Sequence, residues 1–280
     1  MSVHAASMKI TSGVIFQICR TVVRAVLIVF PAVVLPFTTL AGQQKGLEPG
    51  GSATVVEIVD GDTLRLDTGK QVRLIGLQAP KLPLGRANFK AWPLGEEAKS
   101  ALAQMTSGKR LRLSYVERKS DRYGRLLAHL HDGEGIWIQG EMLRLGWARV
   151  YSFPDNRRLV REMLELERQA RLLKRGIWGH PYYRIRQAGD LRGDIDTFQV
   201  IEGRVRDVAT VKGRTYLNFG ADWRSDFTVS VAPRDRRRFA DGLVKLVDIK
   251  GRLVRVRGWL GWRNGPMIEA THPEQIEVLE

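Results

Sequence analysis

Val59-Asp60-Gly61-Asp62-Thr63-Leu64-Arg65-Leu66-Asp67-Thr68-Gly69-Lys70-Gln71-Val72-Arg73-Leu74-Ile75-Gly76 is the stretch from which the fold can be read. Just upstream, Thr54 to Val59 is mostly β-branched and apolar. Thr63 to Leu66 and Gln71 to Leu77 alternate apolar with polar side chains, the period of a strand with one buried face. The segments between them, Asp60-Gly61-Asp62 and Asp67 to Lys70, are rich in residues that tolerate tight turns. Together they predict a three-stranded antiparallel meander.

Working outward, Lys45 to Ser52 is Gly/Pro-rich and reads as a spacer, and Gln78 to Pro93 is irregular, with Pro80, Pro83, Gly85 and Pro93. Ala98, Leu102 and Met105 lie on one face of a helix expected over Glu96 to Thr106 and stopped by Gly108. Strands are expected at Arg110 to Val116 and Leu126 to Leu130, and a short helix at Ile136 to Leu145. A long helix, capped by Asn156 and reaching about Lys174, carries the stripe Leu159, Met163, Leu166, Ala170, Leu173. Five strands with helices around them are the content of an OB-type barrel. Beyond the polar stretch Arg184 to Asp196 come strand patterns at Phe198 to Val208, Arg214 to Phe219, Phe227 to Val231, Leu253 to Leu260 and Met267 to Ala270, with a helical stretch at Arg234 to Leu246. That order suits a second small OB-like barrel. The fold class is mainly β with helices (α+β). The expected division is 1–41 leader, 42–52 linker, 53–185 first barrel domain and 197–280 OB-like domain.

Lys and Arg outnumber Asp and Glu by 45 to 30, a net +15. The excess is uneven. Residues 42–190 hold 26 basic and 17 acidic side chains, +9, whereas residues 191–280 hold 16 and 13, +3. Such a balance favours polyanions. At 44% apolar the chain is too hydrophobic to be disordered. Cys19 is the only cysteine, so no internal disulfide forms. Lys9, Arg20 and Arg24 precede an apolar run from Ala25 to Leu40 that ends at Ala41. A positive stretch, a short apolar core and a small-residue exit fit a secretory signal and a periplasmic or secreted mature chain. The second reading is an uncleaved N-terminal anchor that keeps the protein at the membrane.

Four motifs occur in order between Thr54 and Trp178: Val59-Asp60-Gly61-Asp62-Thr63, Arg73-Leu74-Ile75-Gly76, Asp121-Arg122-Tyr123-Gly124-Arg125 and Gly176-Ile177-Trp178. This set resembles the staphylococcal nuclease (thermonuclease) family. Phosphodiester hydrolysis requires the phosphate charge to be neutralised, a water activated and the leaving oxygen stabilised. Cations held by carboxylates, bidentate arginines and a carboxylate base supply these needs. The resemblance implies a Ca²⁺ site with Asp62 as ligand and Asp60 in support, Arg73 and Arg125 as a phosphate clamp, and Tyr123 near the nucleotide.

The family pattern continues Asp-Thr/Ala-Pro-Glu, with the second metal ligand and the proposed general base. This chain reads Gln78-Ala79-Pro80-Lys81. A neutral amide replaces the ligand and a cation replaces the base, so the Ca²⁺ site is weakened or lost. Losing a base alone removes about 10²–10⁴ in rate. Lys81 is instead a candidate to bind phosphate directly. His129 and His131 alternate on a strand with no third metal ligand near in sequence and read as ordinary strand residues.

The second domain interleaves Tyr216, Phe219, Trp223, Phe227, Trp259 and Trp262 with arginines. About half are expected in the core, with Trp223 and Trp262, beside turns, as candidate nucleic-acid contacts. Three functions stay open: an exported nuclease-fold protein binding nucleic acid, preferentially single-stranded, or another polyanion through a degenerate site; an active metal-dependent nuclease; and an envelope protein-interaction module.

Overall fold

One long strand and the short ones after it form the first barrel. The computed structural model describes residues 46–240 and 245–280; the expected leader, 1–41, lies outside the described residues. The elements of the first barrel are β1 (Glu48–Asp60), β2 (Thr63–Leu66), β3 (Gln71–Leu74), β4 (Leu77–Gln78), α1 (Gly95–Thr106), β5 (Arg110–Tyr115), β6 (Leu126–His131), α2 (Ile138–Arg144), β7 (Arg149–Val150) and α3 (Val160–Leu172). The barrel closes in the order β1-β2-β3-β6-β5. Strand β1 serves two neighbours: its second half pairs with β2 and its first half with β5, with register shifts along its length. Such shifts bend a strand enough to close a small barrel. β3 runs parallel to β6, whereas the other barrel pairs are antiparallel.

Three local expectations are corrected. Glu48 to Ser52 is strand, not spacer, because Glu48 and Pro49 pair with Tyr115 and Ser114 of β5. The third strand of the meander stops at Leu74 and not at Leu77. Gly76 sits at φ +82°, where a Cβ would lie 2.5 Å from Met163 Sδ, and the turn there delivers β4 to pair with β7. Asn156 does not cap α3. Its side chain accepts from Glu117 N and donates to Arg118 O, tying two loops together, and Leu173 is 60% exposed where a buried stripe was expected. The barrel core holds Leu64, Leu66, Val72, Leu74, Leu111 and Leu130, with Ala98 and Leu102 of α1 and Met163 of α3 packed on it.

The second set of strands is β8 (Arg186–Gln187), β9 (Thr197–Arg204), β10 (Asp207–Val211), β11 (Arg214–Asn218), β12 (Thr228–Val231), β13 (Leu253–Trp262), β14 (Pro266–Glu269) and β15 (Ile276–Val278), with α4 (Arg236–Ala240) after β12. The sheet order is β10-β11-β12-β14-β13-β9-β8, and β15 also pairs with β13. The single strand expected over Phe198 to Val208 is broken at Val205-Arg206 into β9 and β10. β9 pairs with β13 and β10 with β11, much as β1 divides between β5 and β2, and β12 is parallel to β14 as β3 is to β6. The connectivity is that of the first barrel. β8 lies within the stretch expected to separate the domains, yet it pairs with β9. Of the helix expected over Arg234 to Leu246, α4 is described and residues 241–244 are not.

Ala41–Glu280 forms one unit. Buried ions join its two barrels. Arg257 of β13 donates to both carboxylate oxygens of Glu167 in α3, at 2.9 and 3.0 Å, and to Glu277 in β15. Glu167 also accepts from Val150 N and from Arg171, and both Arg257 and Glu167 are buried. Nearby, His272 Nε2 lies 2.8 Å from Ser152 Oγ, and its Nδ1 lies 3.0 Å from Thr271 Oγ1. Thr271 Oγ1 donates to Gln275 Oε1, so it accepts from Nδ1, and in the neutral ring that burial favours Nε2 accepts from Ser152.

Burial pushes the His272 imidazole down to about 4 from 6.5. The unfolded chain takes up a proton as pH falls through 6.5, whereas the folded chain resists until about 4. The stability this group supports is full above pH 6.5 and is lost as pH falls towards 4, by roughly 3 kcal/mol. His129, held at about 3 by burial, adds loss in the same direction. Urea midpoints measured from pH 7.5 to 4 are expected to fall through this window, and His272→Gln to flatten part of the fall. An unchanged pH profile in that variant contradicts the assignment.

Candidate functional site

The site is built on the turn between β1 and β2. Gly61 is required there because a Cβ would lie 2.7 Å from Ala79 Cβ and 2.9 Å from Ala98 Cβ. This close approach buries the carboxylates on either side: Asp60 is 4% and Asp62 0% exposed. Asp60 Oδ1 accepts from Asp62 N at 3.0 Å, which holds the turn. Asp62 Oδ2 accepts from Ala79 N at 2.8 Å, and its Oδ1 accepts from Thr63 Oγ1 at 3.2 Å.

Two cations complete the cluster. Lys81 Nζ donates to Asp62 Oδ2 at 2.6 Å and to Oδ1 at 2.8 Å, and lies 3.6 Å from Asp60 Oδ2. Arg73 Nη1 is 3.1 Å from Asp62 Oδ1 and donates to Leu74 O at 2.9 Å, while its Nη2 donates to Leu77 O at 2.7 Å. The turn at Gly76 brings that last carbonyl back over β3. Burial would raise the Asp62 carboxyl, but the Arg73 guanidinium and the Lys81 ammonium outweigh it and hold it below the usual range. Asp60 moves the other way, raised by burial and then by the neighbouring Asp62 charge.

Gln78 is not part of this cluster's bonding. Its Oε1 accepts from Arg149 Nη2 at 2.9 Å, and Arg149 Nη1 donates to Phe198 O at 3.2 Å in the second barrel. The Arg149 guanidinium lies 4.9 Å over the Phe198 ring, 5.5 Å over Tyr183 and 5.8 Å over Trp92. Burial pushes Arg149 down to about 10. The amide that stands at the expected metal-ligand position is thus bound to a buried arginine at the seam between barrels.

These residues do not fit a divalent cation. Lys81 bridges the carboxylates that would hold one, and Gln78 is engaged elsewhere. Among the described residues no group of three or more His, Cys, Asp or Glu side chains is arranged to hold a metal. His129 is buried and accepts from Trp137 Nε1 at 3.3 Å, in keeping with a strand residue.

The expected clamp is also altered. Arg73 lies on β3 opposite Leu127 of the parallel β6, and Arg125 comes just before β6 begins at Leu126. Neither guanidinium is free. Arg125 makes a fork with Asp121, its Nε and Nη2 each 2.7 Å from Oδ2, while Arg73 is held as described above. Tyr123 is 68% exposed at the turn tip, with Arg122 and Arg125 over its ring at 4.8 and 5.6 Å. Trp223 and Trp262 are exposed, as expected, and Trp259 joins them at 54%.

Arg149, Tyr151 and Phe153 carried no expectation from the sequence. Tyr151 packs edge-on to Phe153 and Phe198 at 4.8 and 4.9 Å, and its N donates to Gly76 O beside the cluster. Arg149 and Tyr151 meet partners dozens of residues away, so only the isolated polar-aromatic run Arg149-Val150-Tyr151-Ser152-Phe153 is visible in the sequence.

Comparison with known proteins agrees with this barrel. A family profile described as staphylococcal nuclease homologue matches residues 71–180. The thermonuclease of Staphylococcus hyicus is 30% identical over 179 residues, 61% of this chain and 99% of that protein. Protein ParB of Escherichia coli is 32% identical over 145 residues, covering 46% and 72% of the two chains, and the micrococcal nuclease of Shigella flexneri is 31% identical over 144 residues, covering 45% and 73%. With a closed barrel of this strand order and a relative matched over nearly its whole length, the chain belongs to the staphylococcal nuclease family.

Proposed function

We propose that this protein is an exported nuclease-fold protein that binds nucleic acid, single strands above all, and that its phosphodiesterase site is degenerate. One observation carries the reading: the Lys81 ammonium bonds both oxygens of Asp62 and approaches Asp60, where the family resemblance puts Ca²⁺. The tethered cation neutralises the carboxylates, and no carboxylate remains at position 81 to activate water. Tyr123, exposed at its turn tip, and Arg125, partly exposed beside its ion pair with Asp121, are the open groups of this face, and the net +9 of residues 42–190 gives the barrel a polyanion-attracting surface. The N-terminal pattern Lys9 to Ala41 supports a periplasmic or secreted location, with membrane anchoring as the alternative.

A labelled single-stranded oligonucleotide tests both halves. Binding is expected to weaken at least about tenfold between 50 and 200 mM salt, because phosphate contacts release counterions. Cleavage is expected to be slow and to differ little between Ca²⁺ and chelator. Salt-independent binding, or none, contradicts the first half. Brisk, chelator-sensitive cleavage by the wild type contradicts the second and makes this an active nuclease.

A further inference from the structure

We infer that a cleft on the second barrel is a separate site for single-stranded nucleic acid, with Trp223 as the surface on which a base stacks. The inference rests on nucleic acid being the polyanion of the preceding section. The floor is a cross-strand row: Asp207 faces Asn218 across β10 and β11, Asn218 faces Thr228 across β11 and β12, and Thr228 faces Met267 across β12 and β14. Residues opposite one another share a sheet face. One wall is Trp223 in the β11–β12 loop and the other is Arg263-Asn264 in the β13–β14 turn, enclosing about 480 Å³. That lies within the range of about 300–1,000 Å³ typical of small-molecule clefts.

The walls are preformed. Gly265 sits at φ +94°, and a Cβ there would lie 2.6 Å from Ser225 O, so the turn rests on the Trp223 loop. Inside the loop, Asp222 accepts from Arg224 N at 3.1 Å and Ser225 Oγ at 2.9 Å, and Asp226 accepts from Asp222 N at 2.8 Å. The loop's acids are thereby occupied by its own donors. Arg224 lies over the Trp223 ring, 4.5 Å from its centroid, and holds the plane of a side chain that is 51% exposed.

Charge selects the occupant. Lys250 donates to Asp207 at 2.8 Å and neutralises the one carboxylate of the floor. Arg263 lines one wall, and Arg224 stands beside Trp223 on the other. An indole platform in a cleft with a guanidinium rim suits a base joined to a phosphate, whereas a neutral glycan would leave the rim charges without partners.

The test uses the full chain and fluorescein-labelled oligothymidylate, with Trp223→Ala, Trp223→Phe and the barrel variant Arg125→Ala. Trp223→Ala is expected to weaken binding about tenfold, as for loss of one base stack, and Trp223→Phe to retain most of it. Heparin, a polyanion without bases, is expected to bind wild type and Trp223→Ala alike. Oligothymidylate affinity unchanged within about twofold in Trp223→Ala overturns the inference. So does Trp223-dependent binding of a neutral oligosaccharide without an effect on oligothymidylate, which reassigns the cleft to glycan. If Arg125→Ala weakens binding and Trp223→Ala does not, the cleft falls and the barrel reading stands. The reverse pattern supports the cleft and removes the barrel as the binding face. No oligothymidylate binding by the wild type overturns both.

Discussion

Lys81→Glu combined with Gln78→Asp is expected to convert this protein into a chelator-sensitive nuclease, raising cleavage of a labelled single strand by about 10²–10⁴-fold. The double change alters local charge by −3, of which −2 comes from position 81. Removing the ammonium takes the stronger neutralising charge from Asp60 and leaves Asp62 with Arg73 alone, and a glutamate there makes three carboxylates face one another. Such a cluster is unfavourable without a cation and favourable with one. The singles are expected to differ. Gln78→Asp alone places a carboxylate against Arg149, whose guanidinium has only an amide and a carbonyl as hydrogen-bond partners, so it forms a buried ion pair and adds little cleavage. Lys81→Glu alone opens the cation site and gains more. In the double, a cation drawn to Asp60, Asp62 and the new glutamate competes with Arg149 for the new carboxylate at 78, and because a base and a metal act as a unit the double exceeds both singles. Melting temperature is a second readout: Ca²⁺ is expected to raise it in the variants carrying Lys81→Glu, by ligand linkage, and to leave the wild type unmoved. A wild type that melts higher in Ca²⁺ and cuts in a chelator-sensitive manner would falsify the degenerate-site reading.

Glu167→Ala is expected to be the most destabilising single truncation at the seam between the barrels, at about 3–5 kcal/mol. Glu167 accepts twice from Arg257, once from Arg171 and once from Val150 N, and is fully buried. Its removal leaves Arg257, itself 1% exposed, with Glu277 as its remaining carboxylate partner and Val150 N without an acceptor. Ionic groups taken out of water are costly when the partner is removed and far less so when both are replaced by apolar groups of similar volume. Glu167→Leu with Arg257→Met is therefore expected to cost less than Glu167→Ala alone. Urea denaturation of wild type, Glu167→Leu, Arg257→Met and their double, with Glu167→Ala alongside, measures the coupling in a double-mutant cycle. A Glu167→Ala loss under about 1 kcal/mol, the range of a surface pair, contradicts the burial-based account.

Much of the first barrel was legible because its signals are local. The meander, α1, β5 and β6 follow from alternation, a helical stripe and turn residues, and β2, α1, β5 and β6 lie within one residue of their expected bounds. The break at Gly76 was not, because its cause is Met163 on α3, far along the chain. The strand identity of Glu48 to Ser52 was hidden for a similar reason. Glycine and proline argue for a spacer locally, and only the edge offered by β5 makes them strand. In the second half the order of strands and the exposure of Trp223 and Trp262 were readable, but the division of one expected strand into β9 and β10 depends on which neighbour each half meets.

For the site, the resemblance carried by the four motifs placed an acidic turn, two arginines, an amide and a lysine in one region, and identified the two positions that depart from the family pattern. Those conclusions need residue type, spacing and the family pattern, and no coordinates. What each charge does with the others required the tertiary structure. Lys81 lies against Asp62 rather than open to phosphate, Gln78 turns to Arg149, and Arg125 is forked to Asp121. A side chain's charge is a property of its residue type, and the sequence determines it. Its partner is a matter of a few ångströms, decided where turns, a parallel strand pair and a second barrel converge, and electrostatic energy depends steeply on that distance and on burial.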